Sequence, residues 1–151
     1  MRYAVDASFF FSELALDGEI LTPPSVVEEL ADTRSRCRLE ALLASGLSVI
    51  SPSPESLDRV AGAASGTGDL PRLSPADTDL VALSLDLGAT VVTDDYAVQN
   101  VALRLGIPVR GILQRKARPR QWRFRCPGCN RRYPSPGTCP ACGSALKRSL
   151  K

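Results

Sequence analysis

Hydrophobic and polar positions along the first 113 residues switch repeatedly between two periods. "RYAVD", "LSVIS", "ATVVT" and "IPVRGIL" are short apolar runs bounded by turn residues, and "GEILT" is a brief extended segment. Runs of this length and composition predict strands. Between them apolar residues recur three and four apart. "PPSVVEELADTRSRCRLEALLASG" predicts one or two helices, and "PESLDRVAGAAS", "SPADTDLVALSLDLG" and "YAVQNVALRLG" one each. This alternation predicts an α/β fold with a mainly parallel sheet flanked by helices. Gly88 and Gly106 stand where the last two helices should close on a left-handed residue. "SGTGDLPRL", residues 65–73, breaks both periods and predicts a flexible loop. Cys37 lies in an amphipathic stretch and is expected to be a small buried hydrophobe.

The pattern stops at Gln114. "QRKARPRQWRFR" is strongly basic and interrupted by Pro119, which predicts a domain over 1–113, a linker over 114–122 and a small second module over 123–151. About 30 residues cannot bury enough apolar surface to fold without a staple. "CPGCNRRYPSPGTCPACG" supplies one: Cys126-x-x-Cys129, nine residues, then Cys139-x-x-Cys142. That spacing is a ligand set for one zinc ion held by four thiolates, a zinc ribbon. Pro127 and Pro140 fix the two turns, and Asn130 and Gly143 follow each second cysteine, where a left-handed backbone turns N–H groups toward sulfur. Two disulfides, or redox-active pairs, are the alternatives. Met1 leads into "RYAVDASFF" without a basic-then-apolar leader, and no apolar span reaches about 20 residues, so a cytoplasmic protein with reduced cysteines and no membrane association is expected. Four cysteines close the coordination shell, which makes that zinc structural and moves any catalysis elsewhere.

Charge divides the chain in the same way. All 16 acidic residues lie at or before Asp95, whereas Asn100 to Lys151 holds 13 of the 19 Lys and Arg residues and no acid. A basic tail of this density points to a polyanionic partner, since each neutralised phosphate releases counterions. Arg115, Lys116, Arg118, Arg120, Arg123, Arg125, Arg131 and Arg132 are the candidate RNA contacts. In "QWRFR", a strand would place Trp122 and Phe124 on the face opposite Arg123 and Arg125, to stack on bases or to form the mini-core of the ribbon. The chain has no histidine. That excludes Ser-His-Asp and Cys-His nucleophiles and His-Glu-x-x-His zinc sites, leaving carboxylates or metals for chemistry.

Carboxylates gather at the carboxyl ends of the predicted strands, where open parallel sheets place their functional groups. Asp6 ends the first strand, Asp94 and Asp95 follow "ATVVT", Asp77 opens a helix, and Glu28 and Glu29 lie near the start of another. Grouped carboxylates repel one another, and hard oxygen donors suit Mg²⁺ or Mn²⁺. Helix capping is the competing explanation. Ser74-Pro75-Ala76-Asp77 reads as a capping box, Ser25 with Glu28 as another, and Asp94 and Asp6 as N-caps. Asp79 and Asp86 are expected on the solvated side of their helix.

"YAVDAS", "PPSVVEEL", "LSPADTDLVALSLDLG" and "VVTDDYAVQNVALRLGIPV" resemble the successive motifs of a PIN domain, a metal-dependent nuclease fold, across essentially all of residues 1–113. The order of PIN domain, basic linker and ribbon is similar to the archaeal form of the Nob-one family, endoribonucleases that mature the 3′ end of small-subunit ribosomal RNA. The resemblance implies a divalent metal site with Mg²⁺ or Mn²⁺ on Asp6, Asp77 and Asp95, with Glu29, rather than Glu28, completing the acidic set. It places Asp95 toward the metal and Asp94 at a helix start or behind the ligands. It implies metal-activated hydrolysis of a ribosomal RNA precursor, with the small ribosomal subunit as partner. A non-catalytic RNA-binding assembly factor and a toxin-like PIN ribonuclease are the alternatives. "VDASFF" lacks the Asp-x-Asp pattern of an aspartyl-phosphate enzyme.

Overall fold

A computed structural model describes residues 1–113 and 123–149. The chain divides into two compact units, Met1–Leu113 and Gln114–Lys151. In the first, β1 (Arg2–Val5), α1 (Ala7–Phe11), β2 (Glu19–Thr22), α2 (Pro24–Glu29), α3 (Thr33–Ala44), β3 (Ser48–Val49), α4 (Pro54–Thr67), α5 (Pro75–Leu87), β4 (Thr90–Val92), α6 (Tyr96–Arg104) and β5 (Val109–Arg110) follow in order. The five strands are all parallel and lie in the order β3-β2-β1-β4-β5. Successive strand residues face opposite sides of the sheet. Tyr3, Val5 and Val92 therefore pack against Phe9, Phe10, Val26 and Leu39 of α1–α3. Ala4, Leu21 and Val91 pack against Val60, Leu80, Leu83, Val98 and Val101 of α4–α6. Two helical layers around one sheet result, as the alternation of periods predicts. No helix among the described residues is long and apolar enough to cross a membrane.

Several local expectations are corrected. Residues 65–73 are ordered: α4 runs to Thr67, Gly68 closes it at φ 77°, and a 3-10 turn follows over Leu70–Arg72. The Asp69 N–H donates to the Ala64 carbonyl at 3.0 Å, so the glycines that suggested a loop form a helix end instead. Ser25 caps nothing; Pro23 is the N-cap of α2, and the Ser25 hydroxyl donates to Asp79 on α5 at 2.6 Å. Asp79 thus ties two helices together. Asp86, although exposed, accepts from the Ser53 N–H and from the Ser53 and Ser56 hydroxyls at the start of α4. Cys37 is exposed, because the buried stripe of α3 runs through Ser35 and Leu39. Gly88 and Gly106 do adopt positive φ, at 62° and 73°.

The second unit is a three-stranded antiparallel sheet, β6 (Arg123–Arg125), β7 (Arg132–Tyr133) and β8 (Lys147–Ser149), in the order β7-β6-β8. Asn130 and Gly143 sit at φ 64° and 75°, and their N–H groups close the two turns onto the Cys126 and Cys139 carbonyls at 3.0 and 2.8 Å.

Candidate active site and cysteine centre

Sheet order places β1 beside β4, the point at which the chain reverses its direction of strand addition and where open α/β sheets leave a crevice. Val5 is in register with Val92, so the next residues, Asp6 and Thr93, face each other just beyond the strand ends. The Thr93 hydroxyl donates to Asp6 Oδ2 and accepts from the Asp95 N–H at 3.1 Å. Asp6 Oδ1 accepts from the Ser8 hydroxyl and, as N-cap of α1, from the Phe9 N–H at 3.2 Å. Burial pushes the Asp6 carboxyl above its ordinary range, against the lowering effect of these donors.

Two helices bring the other acids. Asp77 forms a reciprocal capping box with Ser74 at the start of α5, using one carboxylate oxygen. Glu29 ends α2, which the Ser25–Asp79 bond holds against α5. Its carboxyl is pushed up, first by desolvation and then by the negative charges of Asp77 and Asp6. Asp77 and Asp6 therefore both act electrostatically on Glu29, and Thr93 joins Asp95 to Asp6.

The aspartate pair divides its roles differently from the capping expectation. Asp95, not Asp94, is the N-cap of α6: its Oδ1 accepts from the Ala97 and Val98 N–H groups at 2.8 and 3.5 Å. Asp94 turns toward the end of the unit. Its Oδ1 accepts from Ile112 N at 2.8 Å and Leu113 N at 3.3 Å, and its Oδ2 from Leu113 N at 3.2 Å. Asp94→Ala should accordingly lower the stability of residues 1–113 by about 1 kcal/mol, read by urea denaturation. Asp94→Asn, which keeps an acceptor for Ile112, should cost less.

The donor set is chemically of the kind that suits a divalent cation. It consists of hard carboxylate oxygens, and each of Asp77 and Asp95 keeps one oxygen without a hydrogen-bond partner among the described residues. The mutual repulsion felt at Glu29 is what a cation would relieve. Sequence reasoning missed Thr93 and Ser8, whose roles depend on the folded rim, and gave Ser25 a local cap in place of its bond to Asp79.

Among the described residues, Cys126, Cys129, Cys139 and Cys142 form the one group of three or more potential ligands whose donor atoms all lie within 4.8 Å of one another. The carboxylates stand further apart. Cys126 and Cys142 sulfurs are 3.1 Å apart and Cys129 and Cys139 sulfurs 3.6 Å. Both spacings exceed the ~2.05 Å of a disulfide and approach the ~3.8 Å edge of a tetrahedron with metal–sulfur bonds of ~2.3 Å. The Tyr133 hydroxyl lies 3.2 Å from Cys139 Sγ and brings that thiol down to about 6, while the tyrosine itself is pushed up to about 12. This partner of the cysteine centre was also missed.

Phe124 is half-buried and pairs in register with Tyr133 across β6 and β7. Arg123, Arg125, Arg131 and Arg132 are exposed. Arg125 pairs in register with Arg132 on one side and Lys147 on the other, which sets three cations in a row across the sheet. Lys147 was not foreseen, because its place in the row depends on the pairing of β8. Arg115, Lys116, Arg118, Arg120 and Trp122 lie outside the described residues.

Known proteins match both units. The family model for the PIN domain of ribonuclease covers residues 4–87. Endoribonuclease Nob1 of Pyrococcus abyssi is 40% identical over 97% of this chain and 92% of its own. The chain belongs to the PIN-domain family, with the Nob1 endoribonucleases. Endoribonuclease Nob1 of Methanothermobacter thermautotrophicus is 40% identical over 98% of this chain and 92% of its own. Ribonuclease VapC1 of Thermoplasma acidophilum is 39% identical over 98% and 78%. The similarity runs through the acidic rim of the PIN unit and on into the ribbon with its four cysteines.

Proposed function

We propose that the protein is a metal-dependent endoribonuclease that cleaves the precursor of small-subunit ribosomal RNA at its 3′ end. The observation that supports this most directly is full-length similarity to Nob1 endoribonucleases in a chain that pairs an acidic rim with a basic, four-cysteine module. Residues 1–113 would be the nuclease domain, 114–122 a basic linker and 123–151 the ribbon. Cys126, Cys129, Cys139 and Cys142 would hold one structural Zn²⁺.

Asp6, Asp77 and Asp95 would hold Mg²⁺ or Mn²⁺, with Glu29 beside them. Bound there, the cation supplies Lewis acidity and neutralises charge on the phosphodiester. The chain supplies the rest. Ser8, Thr93 and the Phe9 N–H fix the orientation of Asp6. Thr93 also fixes the backbone of Asp95. Glu29, whose carboxyl is pushed up by desolvation and by the charges of Asp77 and Asp6, would complete the acidic set around the cation. Asp94 stands behind the ligands, both of its oxygens being used on the Ile112 and Leu113 amides. The cations of the ribbon and linker bind RNA phosphates, offsetting the repulsion an acidic rim exerts on RNA. The reading places the protein in the cytoplasm with the small ribosomal subunit.

The test is incubation with a small-subunit ribosomal RNA 3′-end fragment and with transfer RNA, in Mn²⁺ or Mg²⁺ and in chelator. Cleavage at one site in the ribosomal fragment, lost in chelator, is expected. Tight binding without cleavage of any RNA would favour a passive assembly factor. Preferential cleavage of transfer RNA would favour the toxin-like reading, which the VapC1 relative keeps in view.

A further inference from the structure

Of the chain's eight aromatic residues, Trp122 lies outside the described residues and Phe11, at the end of α1, is 50% exposed. Tyr3, Phe9 and Phe10 are buried in the first unit, and Phe124 and Tyr133 are half-buried in the ribbon. Tyr96 is 81% exposed. It is the first residue of α6 and directly follows Asp95, whose side chain caps that helix. The buried stripe of α6 runs through Ala97, Val98, Val101 and Ala102, so Tyr96 adds little to the core. Helix initiation does not require it either, because the Asp95 side chain already caps the first turn. Consecutive Cα atoms are ~3.8 Å apart, so Tyr96 is attached to the chain immediately beside Asp95 of the acidic rim.

We infer that Tyr96 is a base-binding subsite: its ring stacks on an unpaired nucleobase next to the phosphodiester held at the rim. The ligand class is a single-stranded RNA base of any identity, because every base offers a π-face. The inference rests on the nuclease reading above for the position of the phosphodiester, but the stacking interaction can be measured without cleavage. Tyr96 acts through position rather than chemistry, so its hydroxyl is dispensable. The contribution of the basic half to affinity is unaffected, and the stack adds its own.

The experiment uses the full chain with a single-stranded ribosomal RNA fragment. Tyr96→Ala should lower kcat/KM about tenfold, the scale of one missing base–aromatic stack, and weaken the gel-shift Kd by no more than that factor. Tyr96→Phe should restore it. Leu103→Ala, which removes an exposed side chain near the other end of α6, should change nothing. An abasic site at the nucleotide flanking the cut should reproduce the loss in the unaltered protein and add nothing to Tyr96→Ala. A merely structural role would leave the two effects additive and would overturn the inference, as would full activity of Tyr96→Ala. Selective labelling of tyrosine rings gives a reading that does not need cleavage. The Tyr96 ring signal should shift with an oligonucleotide bearing bases and not with its abasic counterpart. If no RNA is cleaved but that shift is seen, the nuclease reading fails and the stacking subsite stands. Equal response to both oligonucleotides would end the inference.

Discussion

Asp6→Asn should leave the protein folded and RNA-bound while cleavage falls by more than about a hundredfold. The substitution nearly preserves volume and keeps Oδ1, which receives the Ser8 hydroxyl and the Phe9 N–H, so the start of α1 is retained. What disappears is a full negative charge at the centre of the donor set. Changing groups that merely orient a ligand typically costs about 10–100-fold, and removing a charged ligand should exceed that. Thr93→Val provides the comparison. It deletes the hydroxyl that joins Asp6 to Asp95 and should fall within the smaller range. Asp95→Asn should resemble Asp6→Asn, because its second oxygen is open to a cation, whereas Asp94→Asn should retain most activity. Cleavage rates, with a gel shift and a thermal melt on each variant, decide the matter. Undiminished, chelator-resistant cleavage by Asp6→Asn would sink the metal-nuclease reading.

Cys139→Ala should strip the metal from the ribbon and unfold it while residues 1–113 keep their own cooperative transition. Cys139 is buried among the four sulfurs and carries the Tyr133 hydrogen bond, so its loss removes a ligand and the partner of that tyrosine together. Structural zinc contributes about 10–16 kcal/mol in isolated small domains, more than a module of about 30 residues can replace by burial. The expected result is about one zinc per chain in the unaltered protein by elemental analysis and much less in the variant. RNA affinity should fall with it to the extent that the folded Arg132–Arg125–Lys147 row neutralises phosphates. Each phosphate of a single strand that the variant no longer neutralises should flatten the logarithmic salt slope by about 0.7. An unchanged zinc content, or an unchanged slope, would remove the ribbon from that role.

Most elements of residues 1–113 and both special turns were legible in the sequence because their causes are local, whereas α1, the 3-10 turn over Leu70–Arg72 and strands β7 and β8 were not. Ser74 and Asp77 are three residues apart and cap one helix whatever else folds. Gly88, Gly106, Asn130 and Gly143 mark left-handed positions that side chains with a branched Cβ avoid. The four-cysteine spacing anticipated the cluster of sulfurs, since two turns of fixed form bring each pair to one point. Tertiary structure decided everything that required knowing a neighbour. Asp94 and Asp95 are adjacent and chemically identical, yet β5 and its continuation supply Asp94 with the Ile112 and Leu113 amides, and α6 supplies Asp95 with its own first turn. Thr93 acquired its role because β1 and β4 are neighbours, which brings together two residues 87 apart in sequence. Ser25 reached Asp79 across 54 residues in preference to a local cap. Such long-range partners follow from strand order and helix packing, which periodicity alone leaves open.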